Sequence, residues 1–344
     1  MKNTKRFFAL LICIAMLFSF AACSAKGTND ETKPNENEST QSLIPDVEVN
    51  IAALKGPTGI GLSGFFQKSD KLTLSEKFNV TIAGSPNEIP PMIIKGETDI
   101  AACPINMASM LYKKTNGKVK IIAVNTLGVL SILENGDSIK SIKDLKGKKL
   151  AATGQGATPE YILNFILKSN GLDPEKDVEI TYYQDHAELA ALLVSGKVSL
   201  AMLPQPQVTV AMTKKPELRK AIDLTQEWNT ATDNKYPLAQ GCLVVRSEFL
   251  DEHPEAVNAF LKAYEKSCEF TLNSLSEAAN AVAQQGILPN AQIAQKAIPD
   301  CNIVYLINDE MKSAAQGTLK VLFDANPASV GGALPDDNFY YINK

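Results

Sequence analysis

EIPPMIIKGETDIAACP, residues 88–104, lies over ELAALLVSGKVSLAMLP, residues 188–204, without a gap. Glu88 then meets Glu188, Gly96 meets Gly196, Ala101 meets Ala201 and Pro104 meets Pro204. Most of the remaining apolar positions agree in character. Each copy reads as a helix, a glycine that stops it, a short strand and a proline-containing turn. Glycine just past the last helical turn is a common C-cap, because it takes up a left-handed backbone without a steric penalty. The run DIAAC is apolar on both faces, as a parallel strand covered by helices must be. Any two α/β units share these broad features, but an unbroken register over seventeen positions favours a duplicated unit.

A second pair of segments matches at a similar distance. VNIAALKGPTGIGL (49–62) and GKKLAATGQGATPEY (147–161) each read as a strand, a Gly/Thr turn and the start of a helix. Ligands of open α/β sheets sit beyond the carboxyl ends of the strands. All four turns named so far lie at such ends, so the sequence describes two α/β lobes turning their ligand-facing edges towards one cleft. The apolar run VKIIAVNTLGVLSILE (119–134) is suited to cross from the first lobe to the second, and YPLAQGCLVVRSEFL (236–250) to cross back. Two extended crossings make a hinge. The expected organisation is lobe 1 at 46–127 and 241–344, with lobe 2 at 128–240. Beyond the second crossing, Ala256, Phe260, Ala263, Tyr264 and Ser267 share one face of a helix, and further helices are expected around 276–285, 291–297 and 309–324. The turn-rich tail NPASVGGALPDDNFYYI is expected to pack over lobe 1.

The N-terminal segment reads as an address, not as part of the fold. Lys2, Lys5 and Arg6 precede an apolar run from Phe7 to Phe20 that ends in Ala21, Ala22 and Cys23. This is a secretory signal, 1–22, too short to span a bilayer. The polar stretch that follows, 23–45, has no aromatic residue and little apolar surface, so a flexible tether is expected. About 300 folded residues suit two lobes better than a single core. The net charge of −4 and the lack of a basic stretch interleaved with aromatics argue against nucleic acid as a partner. Cys103, Cys242, Cys268 and Cys301 form no Cys-x-x-Cys motif. Cys103 and Cys242 sit in apolar runs, as small buried hydrophobes do. His186 and His253 are the only histidines, and no His/Cys cluster has metal-ligand spacing. No cofactor or metal is expected.

The candidate ligand contacts are the turn residues. Pro57, Thr58 and Gly59 in one lobe, and Thr153, Gly154, Gly156, Ala157 and Thr158 in the other, offer hydroxyls, close backbone approach and N–H groups at helix starts. Thr158 reads as an N-cap with Pro159 at the first helical position. Both turns could equally be well-made helix starts and nothing more. Asn106 and Gln205 are amides in the paired proline turns, able to bond a ligand or to cap the following helix. Thr126 stands near the first crossing. Trp228, the only tryptophan, could stack on a flat ring at the cleft edge or anchor a loop by packing. Arginine is scarce: Arg6, Arg219 and Arg246 are the only ones, none lies in the four turns, and no fork-shaped clamp for an anion is visible.

These features together resemble the extracytoplasmic substrate-binding proteins of ABC importers. The small residues before Cys23 resemble a bacterial lipobox. KGPTGIGL, GETDIAACPIN, SIKDLKGKKLAATGQGATPEYIL and VSLAMLPQPQVTVA are similar to the nitrate/sulfonate/taurine group, which includes binders of thiamine-pyrimidine precursors. The likeness covers about residues 46–340. It implies a type II periplasmic-binding fold and a cleft that closes on a small organic ligand. It also implies lipidation of Cys23, a place outside the cytoplasm on the bacterial membrane, a monomeric body, and an ABC permease and ATPase as partners. A ligand-sensing lipoprotein without a transport role fits the same residues. An enzyme akin to the yeast-type pyrimidine synthase fits less well, because the Cys-rich motif of that enzyme is absent and no nucleophile stands beside a base.

Overall fold

The computed structural model describes residues 44–69 and 72–343. The signal segment, Cys23 and nearly all of the tether lie outside the described residues. In chain order the strands are β1 (Val49–Leu54), a short hairpin of β2 (Lys68–Ser69) and β3 (Leu72–Thr73), β4 (Phe78–Ala83), β5 (Ile100–Pro104) and β6 (Val119–Thr126). Then follow β7 (Leu130–Glu134), β8 (Lys149–Thr153), β9 (Glu179–Tyr183), β10 (Leu200–Pro204) and β11 (Arg219–Asp223), and finally β12 (Gly241–Arg246) and β13 (Ile303–Leu306). They form a six-stranded sheet, ordered β13-β6-β12-β5-β1-β4, and a five-stranded sheet, ordered β11-β7-β10-β8-β9.

The repeat is present in detail. β5 and β10 stand 100 residues apart, as their sequences do. The helices before them, Ile89–Ile94 and His186–Val194, end in the same way. Gly96 N–H donates to Ile93 O at 3.2 Å and Glu97 N–H to Met92 O at 2.9 Å. In the second copy Gly196 N–H donates to Leu193 O at 3.1 Å and Lys197 N–H to Leu192 O at 3.0 Å. Each is a Schellman motif around a left-handed glycine, with φ +75° at Gly96 and +77° at Gly196. In both sheets the parallel trio (β4-β1-β5 and β9-β8-β10) is followed by one antiparallel strand. That strand, β12 or β7, is in each case the first strand after the chain has crossed from the other lobe.

The crossings are shorter than the apolar runs suggested. Residues 119–134 divide into β6 in one sheet and β7 in the other, leaving 127–129 as the crossing. The return ends at β12, with the rest of its run absorbed by that strand and the helix Ser247–Glu252. Apolar residues on both faces are what allowed each run to be buried in a sheet.

Each lobe is a sheet between helical layers. In the first, Ile51, Ala53, Ile100 and Ala102 face one core cluster, while Ala52, Leu54, Ala101 and Cys103 face the other. In the second, Leu150, Ala152, Leu200 and Met202 face one side and Ala151, Ala201 and Leu203 the other. This period-2 division explains strands with no polar face. The helices Pro254–Asn273, Leu275–Gln284, Ala291–Ala297 and Asn308–Ala325 match the expected positions. The tail lies on lobe 1: Ser109 Oγ donates to Val330 O at 2.7 Å, Tyr112 Oη to Asp336 Oδ1 at 2.7 Å, and Tyr340 bridges to Ile121. The four body cysteines are buried and unpaired. Burial pushes the Cys268 and Cys301 thiols up to about 12, far from reactive. Among the described residues there is no cluster of metal ligands and no helix long and apolar enough to cross a membrane.

Candidate functional site

Strand register fixes which edges of the sheets face each other. The first crossing leaves lobe 1 at Thr126, level with Gly241 and hence with Pro104 at the carboxyl end of β5. It enters lobe 2 at Leu130, paired with Pro204 at the carboxyl end of β10. Both lobes therefore turn the carboxyl ends of their parallel strands towards the crossings.

A run of hydrogen bonds ties the two proline turns together across this junction. Ile105 N–H donates to Gln240 O at 3.1 Å and Gln240 N–H to Thr126 O at 3.0 Å. Val129 N–H donates to Gln240 Oε1 at 2.6 Å, and Gln205 N–H to Val129 O at 3.0 Å. Turns 100 residues apart are thus joined through one glutamine and one crossing residue. Leu127 N–H also donates to Asn302 O at 3.0 Å, while Asn302 Nδ2 donates to Gly128 O.

On the lobe 1 edge the structure gathers Pro57, Thr58 and Thr126. Asn125 Nδ2 donates to Thr58 O at 3.0 Å, and Thr126 Oγ1 stands 3.5 Å from Pro57 O and 3.2 Å from Asn125 Oδ1. Gly59 is buried behind Thr58, and half-buried Asn106 sits in the first turn of the helix Ile105–Lys114. On the lobe 2 edge Thr153 is fully buried, and its Oγ1 lies 2.6 Å from Nδ1 of His186. His186 opens the helix after β9, so its ring reaches across the strand ends to β8. Nothing near it in sequence marks the pairing of His186 with Thr153, 33 positions away.

Several expectations are corrected. Thr158 is not the N-cap: Ala157 holds that position without a side-chain cap, and Thr158 is the first helical residue. The N–H groups expected to point into the cleft are partly used within the turn. Gly156 N–H donates to Glu160 Oε2 at 2.6 Å and Ala157 N–H to Gly154 O at 3.1 Å. Gly154 and Gly156 keep the left-handed backbone that a tight turn demands, with φ +83° and +70°. Gln205 is buried, and its Oε1 accepts from Thr209 Oγ1 at 2.9 Å. Trp228 is not at a cleft edge. It is fully buried in the lobe 2 core, packs on Phe165 with ring centroids 5.0 Å apart, and donates from Nε1 to Tyr236 O at 3.1 Å.

Burial lowers the His186 pKa from the ordinary 6.5, with Asp185 opposing the shift. In the window below that value the unfolded chain takes up the proton first. The stability contributed by neutral His186 is complete above pH 6.5 and is lost as the pH falls through the lowered folded value. Imidazole NMR can follow this directly, since the chain has two histidines. The His186 signal is expected to titrate below 6.5, and His186→Gln to flatten the acid limb of the stability profile. A His186 midpoint above 6.5 would contradict the half-buried ring.

Two α/β lobes with opposed carboxyl-terminal strand edges and a double crossing define the type II periplasmic-binding fold, the class to which the site geometry assigns this protein. The chain belongs to the NMT1/THI5-like family, whose model matches residues 76–278. It is similar to a putative binding protein of Brucella abortus, 25% identical over 160 residues, covering 46% of this chain and 47% of the relative. The chain thus spans about half the length of the curated relatives it matches. An ABC transporter structure from Parabacteroides distasonis is 26% identical with a TM-score of 0.72, covering 87% of this chain and 100% of that one. The periplasmic aliphatic sulphonate binding protein SsuA from Escherichia coli shares the fold at 18% identity and a TM-score of 0.64, covering 82% of this chain and 94% of that one.

Proposed function

We propose that this chain is an extracytoplasmic solute-binding lipoprotein. It captures a small organic molecule between its lobes and delivers it to the permease and ATPase of an ABC importer. The observation that supports this reading is the hydrogen-bonded junction through Gln240 and Val129, which joins the two repeated proline turns between the lobes. The contacts would come from Pro57, Thr58, Gly59, Asn106 and Thr126 of lobe 1, taken as 46–127 and 241–344. Lobe 2, taken as 128–240, would add Thr153, His186 and the 154–158 turn. Sulfonates, nitrate and thiamine-type pyrimidines are the candidate ligands, in keeping with the names of the structural neighbours and the family. Relatives named as binding proteins favour capture over turnover.

Ligand contacts from both lobes favour a closed over an open arrangement, so binding and closure are one equilibrium. The transport role is tested by uptake. Deleting the chain should abolish import of the compound found bound to the purified protein, and unchanged import would refute delivery. The anchor is tested separately: Cys23→Ala should release a folded body from the membrane fraction, because acyl chains on Cys23 would be its hold on the bilayer. Membrane retention of the variant at the wild-type level would remove lipidation from the account.

A further inference from the structure

We propose that Asp300 is an electrostatic latch that sets the angle between the lobes. Asp300 ends a short turn, Ile298–Asp300, of lobe 1. Its Oδ2 accepts from Lys220 Nζ at 2.8 Å and stands 3.4 Å from Gln205 Nε2. Both partners belong to lobe 2, Lys220 to β11 and Gln205 to the turn after β10. One carboxylate oxygen of one lobe thus gathers a cation and an amide of the other.

The partners are held from behind. Gln205 Oε1 accepts from the Thr209 hydroxyl at 2.9 Å and Gln205 N–H is tied to Val129 O at 3.0 Å, so the amide NH₂ is the end left for Asp300. Asn302, two residues on, is fastened to the crossing at Leu127 and Gly128. The latch is therefore anchored to the hinge on one side and to sheet strands on the other. Beside it lies a polar cavity of about 40 Å³, lined by Ser131, Asp223 and Asn302 among others, room for about one water. Next to this junction the lobe 2 helix Gln207–Lys214 packs on the lobe 1 helix Ala291–Ala297. Rotation of one lobe about the crossings strains this 2.8 Å contact, so the pair favours one interlobe angle.

The side chains of Lys220 and Asp300 are 30% and 48% exposed. Mobile ions reach such a pair, and its strength falls as the Debye length shortens. The latch makes the resting angle responsive to ionic strength before any ligand arrives. It depends on the two-lobed fold and not on the transport reading.

Small-angle scattering of the full chain without added ligand, at about 0.05 M and about 0.5 M sodium chloride, tests the latch. The wild type should show a larger radius of gyration at high salt. Lys220→Met and Asp300→Asn should be expanded already at low salt and lose the salt response, a shift in the open population of roughly two- to fivefold, as for a partly exposed ion pair. The charge-swapped double variant, Lys220→Asp with Asp300→Lys, should restore the compact form at low salt. Near-ultraviolet circular dichroism establishes that each variant is folded. If a single variant fails to fold, the wild-type salt series and the swapped pair decide. A radius indifferent to salt in the wild type, or equal in all folded variants, would overturn the latch whether or not the protein binds a solute.

Discussion

Arg219→Met should destabilise lobe 2 by about 1–3 kcal/mol, between the ranges for exposed and buried ion pairs, because Glu134 is buried while the Arg219 side chain is 32% exposed. Glu134 is 5% exposed at the end of β7. Burial pushes its carboxyl up, but donors from Ser138, Ile139 and Arg219 outweigh burial and hold it below the ordinary value. The Arg219 guanidinium also donates to Ile139 O at 2.7 Å, closing the 134–139 turn. Without it a carboxylate stays buried without its counter-charge. Denaturant melts should show the loss near neutral pH. It should shrink in acid, because a lowered folded pKa gives stability that disappears as Glu134 takes up its proton. A change below about 1 kcal/mol would place the pair among ordinary surface ion pairs.

This pair also explains why arginine is absent from the candidate contacts. Arg219 pairs with Glu134 where β11 begins and β7 ends, the edge of lobe 2 away from the crossings. Arg246 sits at the corresponding far edge of lobe 1, opposite Val119, with Nη2 3.0 Å from Asp99 and Nη1 2.9 Å from Glu248. Both arginines close the outer ends of sheets. Neither lies at the crossings.

Gly241→Ala should damage the lobe 1 half of the candidate site. A Cβ at 241 would stand 2.6 Å from Asn125 Oδ1 and from Thr58 Cγ2, and 3.0 Å from Thr126 Cβ. These are the side chains that order the 57–59 turn. Overpacking of this kind costs about 1–3 kcal/mol, and relief requires Thr58 or Thr126 to move. Affinity for the bound solute should fall by about tenfold or more, about 1.4 kcal/mol. Calorimetric titration read beside thermal melts separates the two effects. A lower melting temperature with unchanged affinity would remove the 57–59 turn from the site.

The duplicated unit was legible because its determinants are local. A glycine two positions past a helix and an apolar strand beyond it fix the Schellman turn and the buried strand within about ten residues. The junction was not legible. Gln240 works through its backbone and its amide on residues more than 100 positions earlier, and no periodicity records that. The sequence leaves the packing and stacking readings of Trp228 level because its neighbours are polar. The helix Leu224–Ala231 buries only Leu224 and Trp228, an i,i+4 pair, and polar residues around a short buried stripe look like a loop. The 154–158 turn did carry a readable signal. Glu160, four residues after Gly156, folds back onto its N–H, as acidic residues in a first helical turn often do.

Native mass spectrometry of gently purified protein tests most directly whether the two lobes share one ligand. The wild type should carry one small-molecule adduct per chain. Gly241→Ala in lobe 1 and His186→Phe in lobe 2 should each carry less of it while remaining folded, because each disturbs one of the two facing edges. An adduct retained at the wild-type level by either variant, or absent from the wild type itself, would contradict a solute held between the lobes.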